Sequence, residues 1–282
     1  MNKVYFLGEL SLTVGLTTKG KADLRVGDRM VLAAVLDGMM GVDTKFVGEA
    51  AADVVGDFIV DYLNKNGVDT KSVDRYTEGA TAVTVGHSEL PDARPIVHTS
   101  YPTEPVNPVW PKFEEGDVVV YGGYMAIDDR NHGALLDLLK YAKSRKAQLV
   151  YVPYFEPSRV PRITRVMPAE FECLEMADLI VAGVEDIAAI FPGDDVAAVF
   201  RDHILFYCRR LLVTNYQEKK LRFFDGDESW TKECHTTTNT ALEWRAGVLA
   251  GTTRALVEGM RDPDEIMNKA NETAHSEIAS TL

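Results

Sequence analysis

The chain has 282 residues, 46% of them hydrophobic, which is enough for a sizeable buried core. Its 30 Lys and Arg against 43 Asp and Glu give a formal net charge of −13, which argues against nucleic acid or an anionic membrane as the main partner. Cys173, Cys208 and Cys234 are few and not in metal-ligand spacing, so a reducing, cytoplasmic setting without a metal centre is expected.

Residues 1–8 form a short apolar run that meets Gly8 too early for a signal peptide, and no run approaches the ~18 apolar residues of a membrane span. Residues 4–10 therefore predict a buried first strand. Residues 29–40 predict a helix apolar on one face, 44–48 a second strand, and 54–66 an amphipathic helix. Short apolar strands follow at 117–121, 149–152, 179–181 and 211–214. Helical patterns at 132–144, 168–176, 185–190 and 196–208 separate them. This alternation predicts an α/β fold, a doubly wound and mostly parallel sheet flanked by helices, in a single domain over residues 1–282.

Two regions break the rhythm. Residues 12–26 and 81–100 carry period-2 stretches that predict antiparallel strands outside the main sheet, paired with each other. The proline-rich run 102–111 predicts an extended connection back. From Val166 to Phe200 the sequence has no Lys or Arg but includes Glu170, Glu172, Glu175, Asp178, Glu185, Asp186, Asp194 and Asp195. Their spacing fits no calcium loop, and a solvated acidic face is expected. Arg159, Arg162 and Arg165 predict a solvated basic loop, with an anionic ligand as the second reading.

The stretch from His235 to Gly251 organises the rest. Thr236, Thr237, Thr238, Asn239 and Thr240 lead into a helical run through Leu242, Ala246, Leu249 and Ala250. A polar loop opening a helix gathers N–H groups that suit an anion, and the same residues serve equally as a helix cap. Trp230 and Trp244 are expected as packing residues, and His87 and His98 as surface or interface residues of the off-rhythm strands.

Ala246-Gly247-Val248-Leu249-Ala250-Gly251 resembles the end of the signature of ribokinase-like (PfkB-type) carbohydrate kinases, in the fructokinase-like branch. Gly38–Gly48, Asn66–Thr70 and Asp117–Tyr124 are similar to further family motifs, in order. The resemblance implies the ribokinase-like fold, with the off-rhythm strands as a small lid over a sugar and as the surface of a homodimer. It implies a small-molecule sugar or nucleotide as ligand, and ATP with magnesium if activity is retained. By position it puts Glu9, Thr13, Asp28, Arg29, Leu32 and Tyr154 at the ligand pocket. Asn215, Tyr216, Thr238, Asn239, Thr240 and Ala241 fall at the anion or nucleotide loop.

The motifs that carry the family's chemistry differ. Leu242 stands where the family has its catalytic Asp, and a Leu takes no proton. Asp28 and Leu32 replace a Gly and an Asn of the sugar motif, and Gly183 to Asp186 replaces Asn-x-x-Glu, the magnesium and phosphate motif. Tyr216 and Lys219 replace both glycines of the nucleotide loop, so side chains are expected to fill that space. Glu243 is a poor substitute base, because one step along a helix turns the side chain by ~100°. The expectation is a degenerate family member, non-catalytic or very weakly active, with a role in ligand sensing or protein association. The alternatives are an active kinase with Glu243 or Asp28 as relocated base, and a wholly structural subunit.

Overall fold

Val4–Leu7 forms β1, whose side chains alternate between two cores: Val4 and Phe6 face one, Tyr5 and Leu7 the other. The computed structural model describes residues 2–87, 94–155, 159–160, 162–193, 195–235 and 240–281. After β1 come β2 (Ser11–Leu16), β3 (Ala22–Val26), α1 (Arg29–Met39), β4 (Thr44–Ala51), α2 (Val54–Lys65) and β5 (Val68–Tyr76). Next are β6 (Ala80–His87), β7 (Ile96–Ser100), β8 (Val118–Gly122), α3 (Gly123–Ile127), α4 (His132–Ser144) and β9 (Gln148–Val152). Then α5 (Ile163–Met176), β10 (Leu179–Gly183), α6 (Val184–Ile190) and α7 (Val196–Val199) lead through a π turn at Phe200–Ile204 to β11 (Arg210–Asn215). The chain closes with β12 (Lys220–Asp225), β13 (Glu228–Glu233), α8 (Ala241–Val257) and α9 (Pro263–Ala274).

The main sheet has nine strands in the order β13-β12-β11-β10-β9-β8-β1-β4-β5, parallel except for the β12 and β13 hairpin at one edge. One core lies under α1, α2, α8 and α9, and the other under α3 to α7. This is the doubly wound, mostly parallel architecture expected from the alternation of strands and helices. Among the described residues, no helix is long and apolar enough to cross a membrane.

The off-rhythm strands build a separate sheet in the order β3-β2-β6-β7. Each hairpin is antiparallel, as expected, but the central pair β2 and β6 runs parallel. The reason is topological: β2 leaves the end of β1 and β6 leaves the end of β5. Those parents are parallel through β4, so both lid strands depart in the same direction.

Other differences have local causes. The first strand stops at Leu7 because Gly8 and Glu9 turn out of the sheet. β5 and β13 lie at the two edges of the main sheet, where charged residues such as Asp69, Lys71 and Lys232 conceal the strand pattern. Helix α5 begins at Ile163 with Pro168 inside it, so Arg162 and Arg165 belong to the helix start and not to a loop. The acidic stretch is not one solvated face. Glu170 is buried and accepts the Tyr151 hydroxyl at 2.6 Å, and Asp178 accepts the Leu149 N–H at 2.8 Å.

Candidate functional site

The site lies where the ends of β1, β8 and β9 meet the lid. The Gly8 carbonyl comes so close to β4 that a Cβ on Gly48 would sit 2.3 Å from it. This close approach fixes the turn from which Glu9 points inward. The Arg159 guanidinium donates to both Glu9 oxygens, one at 2.8 Å, and the Tyr101 hydroxyl also donates to Glu9. Both members of the pair are largely buried, at 12% and 13% side-chain exposure, which overturns the solvated-loop expectation for Arg159. Burial pushes the Glu9 carboxyl above its usual range, and the Arg159 bonds pull it the other way.

Arg159 also lies 3.7 Å above the centre of the Tyr124 ring. Tyr124 is placed by the Gly122-Gly123 turn after β8. Gly122 has φ 153°, and a Cβ there would come within 2.0 Å of the Val152 carbonyl. The sequence offered Tyr124 only as the end of a glycine turn. Arg159 carried only a weak signal, a basic residue between prolines near a strand end.

Asp28 caps α1, accepting the Met30 and Val31 N–H groups at 2.8 and 3.3 Å. Arg29, expected at the ligand pocket, points away from it. It is buried beneath, bonded to Asp186 on α6 and to the Pro153 carbonyl. Burial opposes its charge most strongly, but Asp186, with Asp28 and Tyr154, holds the guanidinium protonated. The neighbouring Glu185 is likewise engaged, by Arg245 of α8 at 2.6 Å.

Glu9, Thr13, Asp28, Tyr154 and Leu242 line one cavity of about 320 Å³. The lid contributes Arg25, Thr84 and Val97 to it, and the body adds Tyr124 and Arg159. Arg25 was not anticipated; it feels the fields of Glu243 and Asp28. Arg29 and Leu32 do not reach the cavity, because the first turns of α1 are buried against the sheet. The cavity thus offers hydroxyls, two carboxylates and the aliphatic side chain of Leu242. That is a set able to orient a polyhydroxyl ligand.

On the loop side, Thr240 caps α8 in a reciprocal box with Glu243. The Glu243 N–H donates to the Thr240 hydroxyl at 3.2 Å, and the Thr240 N–H to the Glu243 carboxylate at 3.1 Å. Ala241 is the first helical residue; Thr238 and Asn239 lie outside the described residues. Asn215 ends β11 and accepts the Glu218 N–H at 3.0 Å, closing the turn. Tyr216 packs 5.8 Å from the fully buried Trp244. Lys219 keeps a left-handed backbone at φ 55° and sets its ammonium 3.0 Å over the Tyr216 ring. Among the described residues, no three of His, Cys, Asp or Glu converge closely enough to hold a metal ion.

Solved structures with this architecture include aminoimidazole riboside kinase from Salmonella enterica, complexed with aminoimidazole riboside and an ATP analogue. It is 12% identical, with a TM-score of 0.82 over 99% of this chain and 92% of that one. Fructokinase from Vibrio cholerae O395, in a form binding fructose, ADP and calcium, is 12% identical with a TM-score of 0.82, covering 100% and 95% of the two chains. Fructokinase with bound ATP from Xylella fastidiosa is 16% identical with a TM-score of 0.76, covering 97% and 90%. A search of curated proteins gives no match. A family model, described as pfkB family carbohydrate kinase, matches residues 33–200, well over half of the chain. With the lidded nine-stranded sheet around it, that match places the chain in the pfkB family of carbohydrate kinases.

Proposed function

We infer that this is a degenerate pfkB-family protein, which binds a sugar-like ligand under its lid but is non-catalytic or a very weak ATP:sugar phosphotransferase. Its role on this reading is ligand sensing or protein association. The observation that carries it is that Leu242 lines the cavity, together with the resemblance, which assigns that position to the family's base. General-base catalysis contributes roughly 10²–10⁴ in rate, and no hydrogen is taken by an isobutyl group.

The surroundings support the same reading. Glu243 is committed to the helix cap, and Glu9 to Arg159 and Tyr101. Asp186 and Glu185, the carboxylates nearest the magnesium position by resemblance, are each engaged by a guanidinium. A side-chain cation therefore stands where the family's chemistry calls for a free carboxylate, and the residues present do not fit a magnesium–ATP pair as the family motif does. Tyr216, Lys219 and Trp244 pack together where the family has an open glycine loop.

The family match and Asp28, which shares the cavity with Leu242, favour the alternative, an active kinase with a relocated base. Incubation with ATP, magnesium and a panel of hexoses, pentoses and nucleosides separates the two. Background ADP release fits the degenerate reading; sugar-dependent release at roughly 1–100 per second, a working kinase's rate, rejects it. A homodimer through the lid belongs to the same proposal. Leu16, Leu24 and Ile96 expose 46%, 59% and 70% of their surface on that sheet. Light scattering of the purified protein tests it, and a monomer at high concentration rejects it.

A further inference from the structure

A second cavity, of about 350 Å³, lies on the other face of the sheet from α8, where β11 to β13 meet α6 and α7. Along β12 the side chains alternate: Leu221 and Phe223 enter the core beneath α8, whereas Lys220 and Arg222 face this cavity. Its floor is apolar, built by Val184, Val196 and Val213. The volume is within the range of small-molecule sites, roughly 300–1,000 Å³.

Most of the polar groups around it are already occupied. Asp195 accepts the Ala197 and Ala198 N–H groups at 2.8 and 3.1 Å, and Asn215 accepts from Glu218. Lys220 lies 3.2 Å from Glu218 and 3.6 Å from Glu233. Arg222 differs. Its guanidinium lies 4.5 Å over the Phe224 ring, and no described residue gives it a hydrogen bond or ion pair. Thr231 stands directly opposite it on β13. A half-buried guanidinium without an acceptor, beside an apolar floor, is a receptor for an anion with an apolar body.

We propose that this cavity binds a small organic carboxylate, its oxygens on Arg222 and Thr231 and its apolar part against Val184, Val196 and Val213. The neighbouring Asp195, Glu218 and Glu233 disfavour a doubly charged phosphate, so a monoanion is selected. The site is independent of the reading of the Leu242 cavity and stands whether or not the protein is a kinase.

Calorimetric titration of the full chain with hexanoate, hexanol, hexyl phosphate and ADP tests it, on wild type, R222Q and R222K. Hexanoate is expected to bind best, and R222Q to weaken it about tenfold or more, as loss of a charge-assisted bond requires. R222K retains part of the affinity. Circular dichroism and melting confirm that each variant is folded; T231V, which keeps the strand, supplies a second, smaller loss. Absence of hexanoate binding at millimolar concentration overturns the proposal. So do hexanol binding as tightly as hexanoate, undiminished binding by R222Q, and displacement of hexanoate by ADP.

Discussion

Arg29, in the first turn of α1, and Asp186, in the first turn of α6, form a largely buried ion pair that links helices packed on the two faces of the main sheet. Asp186 is the carboxylate bonded to Arg29, and Asp28 adds its field from the helix cap. R29M is expected to cost about 1–3 kcal/mol, because it leaves the partly buried Asp186 carboxylate with only the Gly183 N–H as donor. R29M combined with D186L should recover most of that loss. Urea denaturation of both variants measures the difference, and equal losses in the two would reject the account.

Restoring the missing carboxylate alone should not restore catalysis. In L242D, sugar-dependent ADP release is expected to stay within about tenfold of background, because residues acting as a unit are not repaired singly. A coupled ADP assay reads it directly. A rise of several hundredfold would mean that the nucleotide side of the cleft is competent despite Tyr216 and Lys219.

Glu170 makes stability depend on pH. Burial raises its carboxyl to about 8 from an ordinary 4.5, against the opposing Tyr151 bond, with Asp186 adding to the rise. The folded state holds the proton that the unfolded state releases, so this contribution is whole below pH 4.5 and shrinks as pH rises. It is gone above about 8. Between those limits wild type should lose up to about 1.4 kcal/mol per pH unit from this group. E170Q should match wild type at pH 4.5 and exceed it at pH 8. Parallel stability curves for the two proteins would contradict the assignment.

Gly122 is irreplaceable by physical necessity. G122A drives a methyl group into the Val152 carbonyl, 2.0 Å away, at a backbone angle that L residues rarely adopt. A loss of about 2 kcal/mol or more is expected, the range of strained backbone substitutions. Because Tyr124 supports Arg159 from this turn, ligand binding in the cavity should weaken too. Thermal melting and titration of the same sample give both numbers.

The scaffold was legible because it rests on periodicity. Buried central strands such as β8 and β10 read as apolar runs, whereas β5 and β13 were hidden because a sheet edge tolerates charge on its open side. Glu9, Thr13, Asp28, Tyr154 and Leu242 came together because Glu9 and Tyr154 follow strands, Asp28 caps α1, and Thr13 and Leu242 lie within β2 and the first turn of α8, elements whose register the sequence sets. Arg159 and Arg29 were misplaced for the opposite reason. What buries an arginine is a carboxylate far along the chain, Glu9 for one and Asp186 for the other, and no local pattern names that partner.

The parallel pairing of Leu12 with Val83 sets an order of events in refolding. A hairpin closes within a few residues, but this pair waits until α1, β4, α2 and β5 have brought its members to the same edge. The four-stranded sheet is therefore completed only after β5 is in place. A chain emerging from the ribosome carries β2 paired with β3 along one edge only, the other edge open until some seventy further residues have been made, as the register implies.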